Sequence, residues 1–184
     1  NTELDKKIKE RIIEPTLNGI KELGASYCGF LYIGLMIVNN DPYLIEFNVR
    51  MGDPECQTIL PILETDLGKI ILACCDRKLN NIEIKWKKKK SVCVVLCSNG
   101  YPDDFKKNTK INQLKNIKLD SDEYLFHAGT KIENGEYLAI GGRVLNIIAT
   151  TESFKISKKK TLKILNDIDW QEGFFRKDIA YKVT

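Results

Sequence analysis

Glu46, Asn48 and Arg50 stand two residues apart in the stretch Leu44-Ile45-Glu46-Phe47-Asn48-Val49-Arg50, and Met51-Gly52-Asp53-Pro54-Glu55 follows directly. Side chains alternate between the two faces of a strand, so Leu44, Glu46, Asn48 and Arg50 share one face and Ile45, Phe47 and Val49 the other. Magnesium takes oxygen ligands, usually one or two from protein, and leaves the rest of its shell to water and phosphate. A Glu46 carboxylate and an Asn48 amide oxygen presented in one direction suit such an ion. Arg50 could grip a carboxylate or phosphate at two points, and Asp53 and Glu55 could orient an amine or a second ligand. Spacing alone leaves a plainer reading equally open, with Glu46 paired to Arg50 or a lysine on a sheet surface and Asn48 facing solvent.

The flanking elements must position these groups. Leu4, Ile8, Ile12, Leu17, Ile20 and Leu23 recur at helical spacing over residues 2–23, with Thr2 as a cap, Gly24 as a stop, and Pro15 as a kink or break. Tyr27 to Val38 and Tyr43 to Arg50 flank the turn signal Asn39-Asn40-Asp41-Pro42, which predicts an antiparallel hairpin. The nearly all-apolar first strand predicts that the pair lies inside a larger sheet. Asp53-Pro54 reads as a helix entry to about Leu63, and Asp66 as the cap of a second helix to about Leu79. An amide-rich helix start beside Arg50 would favour a bound anion.

Beyond a polar, lysine-rich stretch near residues 80–90 the rhythm changes. Strands are predicted over 91–98, 123–129, 130–133, 136–140 and 143–150, with turns at Asn134-Gly135 and Gly141-Gly142. Ser153 caps an amphipathic helix to about Ile168. This is an α+β pattern of antiparallel strands with one main helix.

The 184-residue chain is 43% hydrophobic and 29% charged, a composition that builds a core. No apolar run approaches the roughly 18 to 20 residues that span a bilayer, and no signal-peptide pattern opens the chain. A cytoplasmic protein without a membrane partner is expected. The six cysteines lack the spacing of a disulfide scaffold, and His127 is the only histidine, so buried free thiols are expected and a Cys/His zinc site is not. The net charge of +4 gathers at Lys85-Trp86-Lys87-Lys88-Lys89-Lys90 and Lys158-Lys159-Lys160. Lysines are frequent throughout, which favours a solvated loop over a nucleic-acid footprint. A nucleic-acid module would instead bind DNA or RNA in a salt-sensitive way.

The extended string Glu46-Phe47-Asn48-Val49-Arg50-Met51-Gly52-Asp53-Pro54-Glu55-Cys56-Gln57 resembles the E-F-N-x-R-x-G-D-P-E-x-Q signature of the phosphoribosylamine–glycine ligases, or glycinamide ribonucleotide synthetases, an ATP-grasp family. Ile13-Glu14-Pro15-Thr16 and Gly29-Phe30-Leu31-Tyr32-Ile33-Gly34-Leu35-Met36 upstream are similar to the family's stretch before the signature. Gly100-Tyr101-Pro102, Phe126-His127-Ala128-Gly129-Thr130, Gly141-Gly142-Arg143-Val144-Leu145 and Arg176-Lys177-Asp178-Ile179 follow in the family's order. Val49, Met51 and Cys56 depart from the pattern, and none is a proposed ligand. Biotin carboxylases, also ATP-grasp enzymes, share a similar E-x-N-x-R but continue differently after it.

The resemblance implies ligation of glycine to 5-phosphoribosylamine at the expense of ATP, through glycyl phosphate. It implies Glu46 and Asn48 as ligands of magnesium or manganese, with Leu44, Glu46 and Asn48 facing the nucleotide. Arg50 would steady a carboxylate or the transferring phosphoryl group, and Asp53 would help position glycine. Residues 1–85 would form the carboxy-terminal part of the ATP-grasp domain and residues 91–184 a small α+β domain. The family's amino-terminal portion, including the lid over the nucleotide, would be a partner outside this chain, so the chain alone is expected to be inactive. A non-catalytic fragment or interaction module that kept the fold is the alternative. His127 reads as a packing or hydrogen-bonding residue. Arg143 and the Arg176–Asp178 tail could face the ribose phosphate or form structural salt links.

Overall fold

The structure, a computed structural model, describes residues 2–184. These residues form two units, one running to Gly52 and including Thr65–Ile84, the other built from Asp53–Glu64 and Lys85–Thr184.

The first unit opens with α1 (Thr2–Ile8), a π-helical turn Lys9–Ile13, and α2 (Glu14–Glu22). Pro15 sits in the first turn of α2, where its missing N–H costs least, and the wider π turn lies immediately before it. The break expected at Pro15 therefore takes the form of a π turn. Thr2 lies inside α1 and is not its cap, and Asn1 falls outside the described residues. Gly24 closes the helix with φ +72°, its N–H donating to the Lys21 carbonyl at 2.9 Å.

Strands β1 (Tyr32–Val38) and β2 (Asp41–Asn48) pair antiparallel, Val38 opposite Asp41, so the loop is the two residues Asn39 and Asn40. Both have positive φ, 50° and 61°, which suits the twist of a two-residue hairpin. The larger sheet expected from the apolar pattern is not formed among the described residues, where β1 and β2 stand as a two-stranded sheet. Strand β2 consequently lies open, with Ile45 64% exposed, and Val49 just beyond it is 75% exposed. Lys7 and Arg11 each reach Asp41 at 3.0 Å and tie the first helical segment to the hairpin. Helix α4 (Leu67–Cys75) is capped as expected by Asp66, whose carboxylate accepts from Lys69 N–H at 2.9 Å. It ends earlier than expected, and Arg77 turns the chain out of it with φ 58°.

The second unit holds α3 (Glu55–Ile59), β3 (Lys90–Ser98), β4 (Thr109–Lys110), β5 (Glu123–His127), β6 (Thr130–Glu133), β7 (Glu136–Ala139), β8 (Arg143–Thr151), α5 (Phe154–Ile168) and β9 (Gly173–Phe174). One sheet has the order β5-β8-β3-β9 and a second the order β4-β7-β6. Helix α5 packs on β3 and β8, and Val92, Val94, Leu96, Val144, Ile147, Ile164, Leu165 and Ile168 form the buried cluster between them. Ser153 caps α5 by accepting from Ile156 N–H at 3.3 Å. The lysine-rich stretch is no free tether: Lys87 N–H donates to the Ile62 carbonyl at 2.8 Å, and Trp86 bridges Leu63.

All six cysteines are free thiols, but burial holds for only two of them. Cys93 and Cys97 on β3 are buried, Cys56 and Cys74 are half-buried, and Cys28 and Cys75 are exposed. The apolar stretches that carry the last two are themselves open, as Leu72 at 67% exposure illustrates. No helix among the described residues is long and apolar enough to cross a membrane.

Candidate functional site

Strand β2 carries Glu46 and Asn48 on one face, and the structure brings them together. Leu44, expected on that face, is not there: the pairing slips by one residue at Ile45, so Leu44 lies opposite Leu35 while Glu46 lies opposite Gly34, and the bulge breaks the alternation. Asn48 Nδ2 donates to Glu46 Oε1 at 3.0 Å. Two hard oxygen-bearing groups, one anionic and one neutral, converge on one side of an exposed strand. That donor set fits a divalent cation that keeps most of its water. Rotation of the Asn48 amide would turn Oδ1 instead of Nδ2 toward a cation held there.

The strand opposite makes room for this pair. Gly34 lies across from Glu46, and Tyr32 across from Asn48. A Cβ on Gly34 would stand 3.0 Å from Glu46 Cγ, so the glycine is what lets the carboxylate lie over β1. The sequence reading did not single out Gly34, although an isolated glycine inside an apolar strand is a signal of close approach.

Arg50 leaves the strand as an exposed side chain, its Nη1 donating to the Met51 carbonyl at 2.9 Å. Asp53, three residues on, belongs to the second unit. It does not cap a helix as expected. Helix α3 has only five residues, and its cap position is Pro54, which makes no side-chain cap hydrogen bond. The Asp53–Pro54 peptide is cis. The Asp53 carboxylate instead lies between two donors: Arg143 Nη2 is 3.2 Å from Oδ2, and Gln57 Nε2 donates to Oδ1 at 2.9 Å. Arg143 Nη1 also donates to the Asp53 carbonyl at 3.1 Å. Arg143 thus forms a salt link, and the acidic group expected to act on a ligand is oriented on both oxygens.

Other candidates make contacts within the protein. His127 Nδ1 lies 2.9 Å from Thr130 Oγ1, and its ring stacks on Tyr137 at 5.5 Å between centroids. Arg176 grips Asp178 at two points, 3.1 and 2.6 Å, which pulls the Asp178 carboxyl below its ordinary range. Gly129 and Gly141 permit a backbone crossing, for a Cβ on Gly129 would come within 2.6 Å of Gly141 Cα. Asp120, Asp122 and Glu123 are grouped closely enough to suggest a metal site. Lys160 already occupies that cluster, its ammonium 3.1, 2.8 and 3.1 Å from the three carboxylates. Those contacts raise the Lys160 pKa, the hydrogen bond to Asp122 being the largest cause.

Burial and nearby carboxylates disfavour the thiolate form of the cysteines near Asp53. Burial pushes Cys93 up to about 12, with the Asp53 and Glu55 charges adding to it. Cys56 is raised by burial and by Asp53.

Residues 91–182 match the family described as phosphoribosylglycinamide synthetase, C domain, and residues 1–56 match phosphoribosylglycinamide synthetase, ATP-grasp (A) domain. The phosphoribosylamine–glycine ligase of Brucella melitensis is 39% identical over 182 residues, which cover 99% of this chain and 43% of that protein. That of Caldanaerobacter subterraneus is 40% identical over 184 residues, covering 98% and 43%. The crystal structure of phosphoribosylamine–glycine ligase from Thermotoga maritima superposes with a TM-score of 0.80 at 31% identity, covering 98% of this chain and 44% of that one. The chain thus spans less than half the length of the curated relatives it matches. With matches in the same order along both the site strand and the carboxy-terminal sheets, the chain belongs to the phosphoribosylglycinamide synthetase family.

Proposed function

We propose that this chain supplies one portion of an ATP-dependent carboxylate–amine ligase that joins glycine to 5-phosphoribosylamine in de novo purine synthesis. A glycine carboxylate oxygen attacks the γ-phosphorus of ATP, the bond to the bridging oxygen of ADP breaks, and glycyl phosphate forms. The amine of phosphoribosylamine then attacks the acyl carbon, phosphate leaves, and the amine gives up a proton, yielding glycinamide ribonucleotide. The observation that carries this reading is the convergence of Glu46 and Asn48, 3.0 Å apart on β2, in a chain of this family.

Glu46 and Asn48 hold magnesium or manganese, and Leu44, two residues before Glu46, borders the nucleotide. A bound divalent ion neutralises phosphate charge that shifts during transfer. Arg50 exchanges its Met51 carbonyl for the glycine carboxylate or the transferring phosphoryl group. Asp53 positions the glycine ammonium, while Arg143 and Gln57 keep its carboxylate from turning away. Residues 1–85 act as part of the ATP-grasp domain and residues 91–184 as the small carboxy-terminal domain. The remaining amino-terminal portion of the enzyme covers the exposed Ile45 and Val49 and brings the nucleotide lid. The enzyme works in the cytoplasm, without nucleic-acid or membrane partners.

The test is complementation: this chain combined with the amino-terminal portion of a family member, with glycinamide ribonucleotide and ADP measured together. Both products appear in equal amounts if the reading holds, and Glu46→Ala abolishes them. Undiminished turnover by Glu46→Ala would sink the metal assignment.

A further inference from the structure

Two thiols that the ligase reading does not use face one another in the first unit. Cys28 lies in the segment leading into β1, and Cys74 in the last turn of α4. Their sulfurs are 3.7 Å apart, and Cys28 Sγ donates to the Cys74 carbonyl at 3.3 Å. A second bond joins the same two segments, Arg77 Nη2 donating to Ser26 Oγ at 3.1 Å. The thiols are thus held in register from outside the pair, and a disulfide, at about 2.05 Å, needs the sulfurs to close by only about 1.7 Å. The backbone beside Cys28 has space for that movement, since a Cβ on Gly29 would meet nothing within 4 Å.

The pair is also reachable. Cys28 is exposed, and both cysteines open onto a recess of about 610 Å³ in the same unit. Lys21 and Arg77 line that recess, and no carboxylate does. A small anionic molecule is the kind such a recess admits.

We propose that Cys28 and Cys74 are a redox modification site, closed to a reversible disulfide by exchange with an anionic low-molecular-weight disulfide. The Cys28 thiolate attacks one sulfur of the oxidant, forming a mixed disulfide and expelling one thiolate. The Cys74 thiolate then attacks the Cys28 sulfur, forming the protein disulfide and expelling the second thiolate. Two electrons pass to the oxidant, and the two protons of the protein thiols end on the two released thiols. The closed loop contains β1 and β2, and with them Glu46 and Asn48. The hydrogen bond to Cys74, followed by partial desolvation, raises the Cys28 pKa, so exchange accelerates as pH rises above neutral.

The protein is incubated with glutathione disulfide at alkaline pH, alkylated, digested and mapped by mass spectrometry. A linked peptide joining Cys28 to Cys74, lighter than its two parts by about 2 Da for the two hydrogens lost, is expected in the wild type and in Cys75→Ser. It is lost in Cys28→Ser and in Cys74→Ser, and dithiothreitol reverses it. The urea midpoint shifts upward on oxidation only in the two forms that close. Pairing of Cys28 with Cys75, or a lasting glutathione adduct on Cys28 beside an alkylatable Cys74, overturns the proposal. Lys21→Glu slows the reaction with glutathione disulfide several-fold but not that with cationic cystamine. Equal slowing of both overturns the choice of an anionic oxidant.

Discussion

Arg143 holds Asp53 by side chain and backbone at once, Nη2 at 3.2 Å from the carboxylate and Nη1 at 3.1 Å from the carbonyl. The planar guanidinium makes both contacts from one fixed fork, which a lysine ammonium cannot copy. Both side chains are more than a third exposed, 41% and 42%, so solvent screening keeps the pair's worth to about 0.5 kcal/mol. Arg143→Lys is therefore expected to leave the urea midpoint nearly unchanged while hydrogen exchange at residues 53–57 quickens. In the complemented enzyme it raises the KM for glycine more than it lowers kcat. A large loss of stability would instead make Arg143 a structural pillar of β8.

Gly34 is a second control point on the site, because it decides where Glu46 can lie. A methyl group 3.0 Å from Glu46 Cγ is tighter than ordinary contact, and the carboxylate must move. Gly34→Ala is expected to weaken divalent-ion dependence several-fold, read as a higher manganese concentration for half-maximal ligation, with little change in thermal midpoint. Unchanged metal dependence would show that Glu46 has room to spare.

Ser157 joins helix α5 to the ends of two strands. It is fully buried, its hydroxyl donates to the Lys90 carbonyl at 2.7 Å, and it accepts from Thr151 N–H at 3.0 Å. Ser157→Ala leaves a donor and an acceptor unpaired, which costs about 1–3 kcal/mol. Urea titration followed by Trp170 fluorescence measures it.

The hairpin that carries Glu46 and Asn48 was legible because turn residues are local signals, whereas the bulge that takes Leu44 off their face was not, since simple alternation does not show an extra residue. Asn39-Asn40, Asp66 and Ser153 each act over a few residues, and each does in the structure what its type implies. The contacts that orient Asp53 were not legible, since Arg143 lies 90 residues away and its pairing depends on how β8 meets the start of α3. Strands β4 and β9, two residues each, are too short to show a period. The apolar pattern of β1 implied a larger, covered sheet, and the described residues form only the two-stranded hairpin, with Met36 and Ile37 exposed; an apolar run does not say which strands lie beside it. Cys28 and Cys74 read as core residues for the same reason, because apolar neighbours in sequence do not establish burial.

Cys93 sets an alkaline limit on the second unit. Burial is the main reason its thiol is pushed up to about 12, whereas in the unfolded chain it ionises near about 8.5. Its contribution to stability is whole below that lower value and is lost as pH rises toward the upper one. The urea midpoint should decline between those limits, and Cys93→Ala should flatten the decline. In the native protein at pH near 8, iodoacetamide should label Cys75 well before Cys93.

Asp41 sets the corresponding acid limit on the first unit. Hydrogen bonds from Lys7 and then Arg11 hold its carboxyl below the ordinary range, so ionised Asp41 is favoured by folding. Its contribution is present above the unfolded carboxyl pKa of about 3.9 and is lost as pH falls through the lower folded value. The contacts join the first helical segment to the residue that begins β2, so their loss should loosen the hairpin from that segment. Asp41→Asn is expected to remove this part of the acid transition while leaving the alkaline one attributed to Cys93 in place. Hydrogen exchange at residues 36–43, followed from neutral pH downward, distinguishes the two: in the wild type exchange there, corrected for its intrinsic pH dependence, should rise at acid pH, and in Asp41→Asn it should already be raised at neutrality. Identical protection in both proteins would mean that β1 alone holds the start of β2.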